Sequence, residues 1–258
     1  MCLIFVARDV HPRYSLIIAS NRDEYHARPT ASAHKWSDFP SVFGGKDLFK
    51  GGTWMGIDST GRWAAVTNYR EAHRPINKGP LSRGYLTKDF LSSELNAKEY
   101  SSQLTSKNLP YDGFNLLVGD SEDIFYVSNR SARKKTLRTP LPKVGLFGLS
   151  NHLLDTDWPK VKIGKERLSS IFQHDQIDPD QIFELLQDRA PANNSELPDT
   201  GIPKNWEKTL SSTFIVSPEY GTRSSAIVLI HKRSEKIEFH EISYSPSGEV
   251  DGRATLTI

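Results

Sequence analysis

Cys2 is the only cysteine of the chain, and it heads the apolar run Leu3-Ile4-Phe5-Val6-Ala7. Removal of Met1 would make it the first residue and give it a free amine. An α-amine titrates at about pH 8, so part of it is neutral near neutrality. Such an amine serves as general base for the thiol of its own residue, with no histidine needed. A cysteine in this place is equally a small hydrophobe opening a strand. Its neighbours decide between the two.

A second polar cluster, Ser20-Asn21-Arg22-Asp23-Glu24, follows the apolar run Tyr14-Ser15-Leu16-Ile17-Ile18-Ala19. Asp23 has the chemistry to hold an α-ammonium by a charge-assisted hydrogen bond. Arg22 or Arg223 would lower a thiol pKa or bind a carboxylate. The plain alternative for Arg22, Asp23 and Glu24 is a surface ion pair contributing about 0–1 kcal/mol. Three asparagines, Asn21, Asn68 and Asn151, each follow an apolar run. An asparagine amide is a neutral donor suited to a developing oxyanion, and also a common turn former.

These residues need strands to carry them. Leu3–Ala7 and Tyr14–Ala19 flank the turn-like Arg8-Asp9-Val10-His11-Pro12-Arg13, which predicts an antiparallel hairpin returning Asn21–Glu24 to Cys2. Residues 25–43, mixing prolines, aromatics and charges, read as a long loop. Thr53–Ile57 and Arg62–Asn68 predict a hairpin about Asp58-Ser59-Thr60-Gly61. The glycine pairs at 44–45 and 51–52 lack a phosphate-loop pattern and read as tight turns. Helices are predicted from Ser82 and over Ala97–Leu104. Phe114–Gly119 and Ile124–Ser128 form a hairpin, the basic stretch 130–143 a solvated ribbon, and Leu146–Ser150 a short strand. Pro159 opens a helix to Phe172 and Pro179 another, before a loop over 190–203. Strands are predicted at Thr213–Ser217, Ser225–His231 and Ile237–Ile242.

Hairpins in runs with helices in blocks define an α+β class. Strands such as Leu3–Ala7 are apolar on both faces and so must lie in a middle layer. A four-layer α-β-β-α sandwich of two mainly antiparallel sheets flanked by helices satisfies this, as a single domain over residues 1–258. The 258 residues are 37% hydrophobic and 25% charged, with 33 basic and 31 acidic side chains and a net charge of +2. That balance predicts no nucleic-acid partner. One cysteine fits a reducing compartment. No stretch reaches the ~20 apolar residues of a membrane helix, so no direct membrane insertion is expected, and the expected location is cytoplasmic.

Five stretches together resemble the NRDE-motif family, the transport and Golgi organisation protein 2 family: Met1-Cys2-Leu3-Ile4-Phe5, Ser20–Glu24, Gly51–Gly56, Ala64–Arg70 and Gly148–Asn151. The likeness spans nearly the whole chain in order. It implies an N-terminal-nucleophile type of fold and a connection with haem mobilisation and with lipid and acyl-CoA homeostasis, with mitochondrial or Golgi-associated pools in a eukaryote. A more distant likeness is to the cysteine amidases that cleave conjugated bile salts and penicillin V. It implies Cys2 as nucleophile, Asp23 beside it, Asn68 and Asn151 as oxyanion-hole and amine-binding residues, and Arg223 as their late arginine. Those enzymes carry an arginine near the strand end where this chain has Ser20.

Two readings follow. In the first, haem or a similar flat, apolar anion is an exchangeable cargo passed to acceptor proteins. The cleft would be built from the Cys2 corner, the loop 25–43 and the aromatics Trp54 and Trp63. Propionates would meet Arg22, Arg28 and Lys50, and iron would meet Cys2 or a histidine such as His26, His34, His73 or His152. In the second, Cys2 cleaves a linear carbon–nitrogen bond of an N-acyl amide. Acyl-CoA is a further ligand candidate. The ligand-binding set expected at the cleft is Asn21, Arg22, Glu24, Arg28, Trp54, Arg70 and His152, with no metal for catalysis.

Overall fold

The computed structural model describes residues 2–71, 81–106, 110–131 and 135–258. Met1 and His73 lie outside them. One sheet has the order β10-β1-β2-β11-β12-β13 and the other β3-β4-β5-β6-β7-β8-β9. The first comprises β10 (Gly145–Leu149), β1 (Cys2–Arg8), β2 (Tyr14–Tyr25), β11 (Tyr220–His231), β12 (Ile237–Tyr244) and β13 (Val250–Thr257). The second comprises β3 (Thr30–Lys35), β4 (Val42–Asp47), β5 (Met55–Asp58), β6 (Trp63–Asn68), β7 (Phe114–Gly119), β8 (Ile124–Ser128) and β9 (Leu137–Pro140). Every strand pairing is antiparallel.

Three cores separate four layers. Between the sheets, Ile4, Val6 and Ile18 meet Met55, Ile57, Trp63 and Leu117. Outside the first sheet, Leu3, Phe5 and Ile17 pack on α3 (Pro159–Ile171) and α4 (Pro179–Leu186) through Val161, Leu168, Ile182 and Leu186. Outside the second, Ala64, Val66 and Leu116 pack on α1 (Gly84–Leu91) and α2 (Ala97–Ser106) through Leu86, Phe90 and Leu104. The alternation of β1 between two cores is why its sequence reads apolar throughout. Each such aliphatic side chain contributes about 1.5–3 kcal/mol on burial. Gly164 permits the contact of α3 with β1, since a Cβ there would come within 2.1 Å of Phe5 Cζ.

The α-β-β-α sandwich expected from the sequence is the one observed. Several local expectations change, and Gly44 and Gly45, expected in a tight turn, lie inside β4. Asn21–Glu24 lies inside β2, because β11 pairs with it as far as Tyr25. Residues 25–43 contain β3 and the start of β4, paired to each other as an edge hairpin. Thr213–Ser217 makes only a single bridge, Val216 to Gly221; Phe214 N donates instead to Asp188 O and Ile215 N to Thr222 Oγ1. The exposed edge strand β13 and the short α5 (Lys204–Thr209) are additions.

Candidate functional site

Cys2 begins β1 on its inter-sheet face and is 7% exposed. It pairs directly with Arg22 of β2. The Arg22 guanidinium lies 4.1 Å from the centre of the Trp54 ring, and its Nη1 donates to Thr30 Oγ1 at 3.0 Å. Together these side chains open a cleft of about 230 Å³ between the ends of the two sheets. Asp23, Glu24, Arg28 and Asn68 line it with Cys2, Arg22 and Trp54. Burial pushes the Cys2 thiol above its ordinary pKa, so the thiol is not a thiolate by default and needs a base.

Asp23 is 1% exposed. Its Oδ1 accepts from Thr222 Oγ1 at 2.7 Å. Burial raises its pKa, while the Lys160 ammonium and the Thr222 bond act the other way. Lys160 stands in the first turn of α3, fully buried, with Nζ donating to Leu210 O at 2.9 Å. Burial brings its pKa down to about 8, and Asp23 is the strongest charge opposing that fall. The charge of each group thus favours the charged form of the other, against the larger effect of burial.

Asn68 ends β6 at the cleft. Asn151, wholly buried, sits behind it: its Nδ2 donates to Asn68 O at 3.1 Å. Arg70 N donates to Asn151 O at 2.7 Å, and Thr67 Oγ1 to Ser150 O at 2.8 Å. Ser150 Oγ reaches Cys2 O at 3.5 Å. These bonds sew the end of β10 in one sheet to the end of β6 in the other, and so fix the cleft's width. Asn151 thus positions Asn68 rather than offering its amide to the cleft.

Other expected site residues lie elsewhere. Asn21 is on the helix-facing side of β2, where Nδ2 donates to Leu186 O at 2.7 Å and Thr213 O at 2.9 Å, and Oδ1 accepts from Ser225 Oγ at 2.6 Å. One-residue alternation along the strand makes Asn21 and Arg22 face opposite ways. The Arg223 side chain donates to Tyr25 O and His26 O, bracing the turn after β2. Arg70 is buried against Trp158, 4.7 Å from the ring centre, and pairs with Glu207 Oε2 at 2.6 Å. His152 stacks on Tyr69 and Trp158 and shares a bond with Thr156 Oγ1; burial lowers its pKa. None of these four side chains lines the cleft, nor does Trp63, and no histidine among the described residues lines it. Among the described residues no cluster of three or more metal-ligating side chains occurs.

Arg28, expected at the cleft, is held there bidentately by Asp47, at 3.2 and 2.6 Å. The cleft also contains residues that sequence reasoning missed. Thr53, Arg83 and Asp112 complete the wall facing Cys2. A Cβ on Gly52 would come within 2.6 Å of the Gly84 backbone, so this glycine lets the loop before β5 close on the start of α1. Arg83 stands at the N-cap position of α1 without a capping side-chain bond, and its Nη1 donates to Gly113 O at 3.1 Å. A cation at a helix N-terminus opposes the macrodipole. Arg83 and Lys160 both break that rule, and that was the available signal.

The comparisons with known proteins agree with this architecture. The chain is similar over 91% of its length to the Caenorhabditis elegans ortholog of N-acylethanolamine-hydrolyzing acid amidase, with a TM-score of 0.55, 11% identity and 95% of that chain covered. It is similar over 99% of its length to a single-residue variant of conjugated bile acid hydrolase from Clostridium perfringens, with a TM-score of 0.54, 11% identity and 92% of that chain covered. At that identity the likeness is one of fold, the N-terminal-nucleophile hydrolase fold. In sequence it is 32% identical to the Bos taurus Transport and Golgi organization protein 2 homolog, covering 89% of this chain and 88% of the relative. It is 30% identical to the Drosophila melanogaster Transport and Golgi organization protein 2, covering 96% and 95%. The profile described as Transport and Golgi organisation 2 matches residues 1–246, and the chain belongs to that family.

Proposed function

We propose that the chain, processed to begin at Cys2, is a cysteine amidohydrolase that cleaves a linear carbon–nitrogen bond. The observation that supports this reading is the placement of Cys2, Asp23 and Asn68 on one cleft. The freed Cys2 amine takes the thiol proton, and the thiolate sulfur attacks the amide carbonyl carbon. The Asn68 amide faces the oxyanion that forms. The carbon–nitrogen bond then breaks, and the proton passes from the Cys2 ammonium to the leaving amine. A water gives its proton to the same Cys2 amine and attacks the acyl thioester; the carbon–sulfur bond breaks and the thiol is restored. Asp23 anchors the amine in both of its charge states, with Lys160 keeping the carboxylate charged.

Intact mass spectrometry tests the covalent step. Protein beginning at Cys2 is mixed with N-acyl p-nitroanilides of increasing chain length and quenched in acid. The expected result is an acyl increment that maps to Cys2 and is removed by hydroxylamine. Absence of both the increment and p-nitroaniline release across the series would contradict the reading.

A second reading, an exchangeable carrier of haem or another flat anion, draws on Arg22, Lys50 and Arg83. These three cations line the cleft and make no ion pair among the described residues. Among the described residues that line the cleft, Cys2 is the one this reading would use as iron ligand. Its test is an absorbance titration with haem, in which Cys2→Ala should lose the thiolate-type spectrum; equal spectra for the variant and an unrelated protein would dismiss it.

A further inference from the structure

The inter-sheet face of β1 carries Cys2, Ile4, Val6 and Arg8. Arg8 is therefore at the far end of the strand from the thiol, about 20 Å away at ~3.3 Å per residue. There the two sheets part again around a cavity of about 560 Å³, larger than the Cys2 cleft. Its lining is mixed: Leu16, Trp63, Ile124, Ile230 and Ile237 supply an apolar part, and Arg8 stands among the polar side chains that line the rest.

Arg8 is 6% exposed. Its Nη2 donates to Glu122 O at 2.6 Å, while its buried Nη1 has no acceptor among the described residues. No carboxylate among the described residues pairs with it. Of the three acids that line the cavity, Asp9, Asp120 and Glu235, the first two are engaged elsewhere. Asp9 pairs with Lys232 at 3.1 Å. Asp120 accepts from the backbone N–H groups of Glu122, Asp123 and Ala97. His231, also at this end, bonds to Glu238. A buried cation without a counter-charge is costly. Here that cost is kept next to a roomy cavity with an apolar part.

We propose that this cavity is a second binding site, separate from the Cys2 cleft, for a small amphipathic monocarboxylate. The carboxylate meets the Arg8 guanidinium, and the aliphatic or aromatic body lies on Leu16, Trp63, Ile230 and Ile237. A neutral ligand would leave Arg8 as it is, and a cation would be repelled by it.

Calorimetric titration with octanoate tests the proposal, with octanol and octylammonium as charge controls. Octanoate should bind the intact chain at one site and change the emission of Trp63, while octanol binds at least tenfold more weakly and octylammonium gives no heat. Arg8→Gln should weaken octanoate at least tenfold, and Arg8→Lys should retain most of the affinity. Should Arg8→Gln fail to fold, Ser121→Phe decides, because it fills the exposed mouth and leaves Arg8 in place; it too should abolish binding. Cys2→Ala should bind octanoate unchanged. Octanol binding as tightly as octanoate, full affinity in Ser121→Phe, loss of binding in Cys2→Ala, or no octanoate binding at millimolar concentration would each overturn the proposal.

Discussion

Cys2 stands directly opposite Arg22 in the antiparallel pairing of β1 with β2. The stack of Arg22 on Trp54 holds that guanidinium at the thiol's side of the cleft, where its charge lowers the thiol pKa against the effect of burial. Replacement of Arg22 by Gln removes a cation that favours the thiolate, so the Cys2 pKa must rise. The pH dependence of Cys2 alkylation by iodoacetamide measures it. An unchanged midpoint would mean that Arg22 is screened from the sulfur.

Asn21 and Asn68 have the same residue type and opposite tasks. Asn21→Leu leaves Leu186 O and Thr213 O without their buried donor and should cost about 3 kcal/mol of stability, since each unsatisfied group costs ~1–3 kcal/mol. Asn68→Ala removes a side chain at the cleft. It should leave the melting temperature within a few degrees of the parent and lower turnover of an amide roughly 10²–10³-fold. Thermal denaturation and initial rates on both variants separate the two tasks; the reverse pattern would show the assignments exchanged.

Arg70 and Glu207 form a buried pair, 7% and 2% exposed. Glu207 Oε2 is the acceptor for Arg70 Nη1, while Arg70 Nε and Nη2 have no partner among the described residues. Glu207→Gln would leave a buried guanidinium without a counter-charge, at a cost of about 3–5 kcal/mol. Urea unfolding of the variant reads that loss directly, and a change under about 1 kcal/mol would show that water reaches Arg70.

Glu241 ties β12 to β3, with Oε1 accepting from Ala33 N at 2.6 Å. Burial raises its pKa to about 7, above the ordinary carboxylate value of about 4.3. The folded protein therefore binds a proton that the unfolded chain has released between those two values. Its stabilising effect is complete below the unfolded pKa and is lost as the pH rises through 7. Glu241→Gln keeps the acceptor for Ala33 and removes the titration. It should be more stable than the parent at about pH 8 by on the order of 2 kcal/mol, with the difference fading toward about pH 4. Parallel stability profiles for the two proteins would contradict this.

How much of this was legible in the sequence depended on burial. The β1–β2 hairpin, the β7–β8 hairpin, α3 and α4 stand on uninterrupted apolar runs or on a proline at the helix start, and those signals are local. The edge strands β3, β9 and β13 are polar or exposed, and their pairing is set by the strand beside them. Thr213–Ser217 has a strand-like composition, yet its N–H groups go to Asp188 O and Thr222 Oγ1. At the site, Cys2, Asp23 and Asn68 were identifiable by residue type. The face each occupies was not: Asn21 is set against α4 by the register that pairs Leu3 with Asn21 and Cys2 with Arg22. Lys160, Thr222 and Arg83 reach the site from segments remote in sequence, and only the cations at helix N-termini hinted at them.

Thiol and base belong to one residue in the proposed mechanism, Cys2, and no histidine among the described residues lines its cleft. The most direct measurement compares amide hydrolysis by protein whose first residue is Cys2, as verified by intact mass, with the same protein carrying one further residue ahead of it. Turnover is expected only in the first form, with a trace remaining in Cys2→Ser and none in Cys2→Ala. Turnover that survives in the extended form would contradict the shared-residue mechanism.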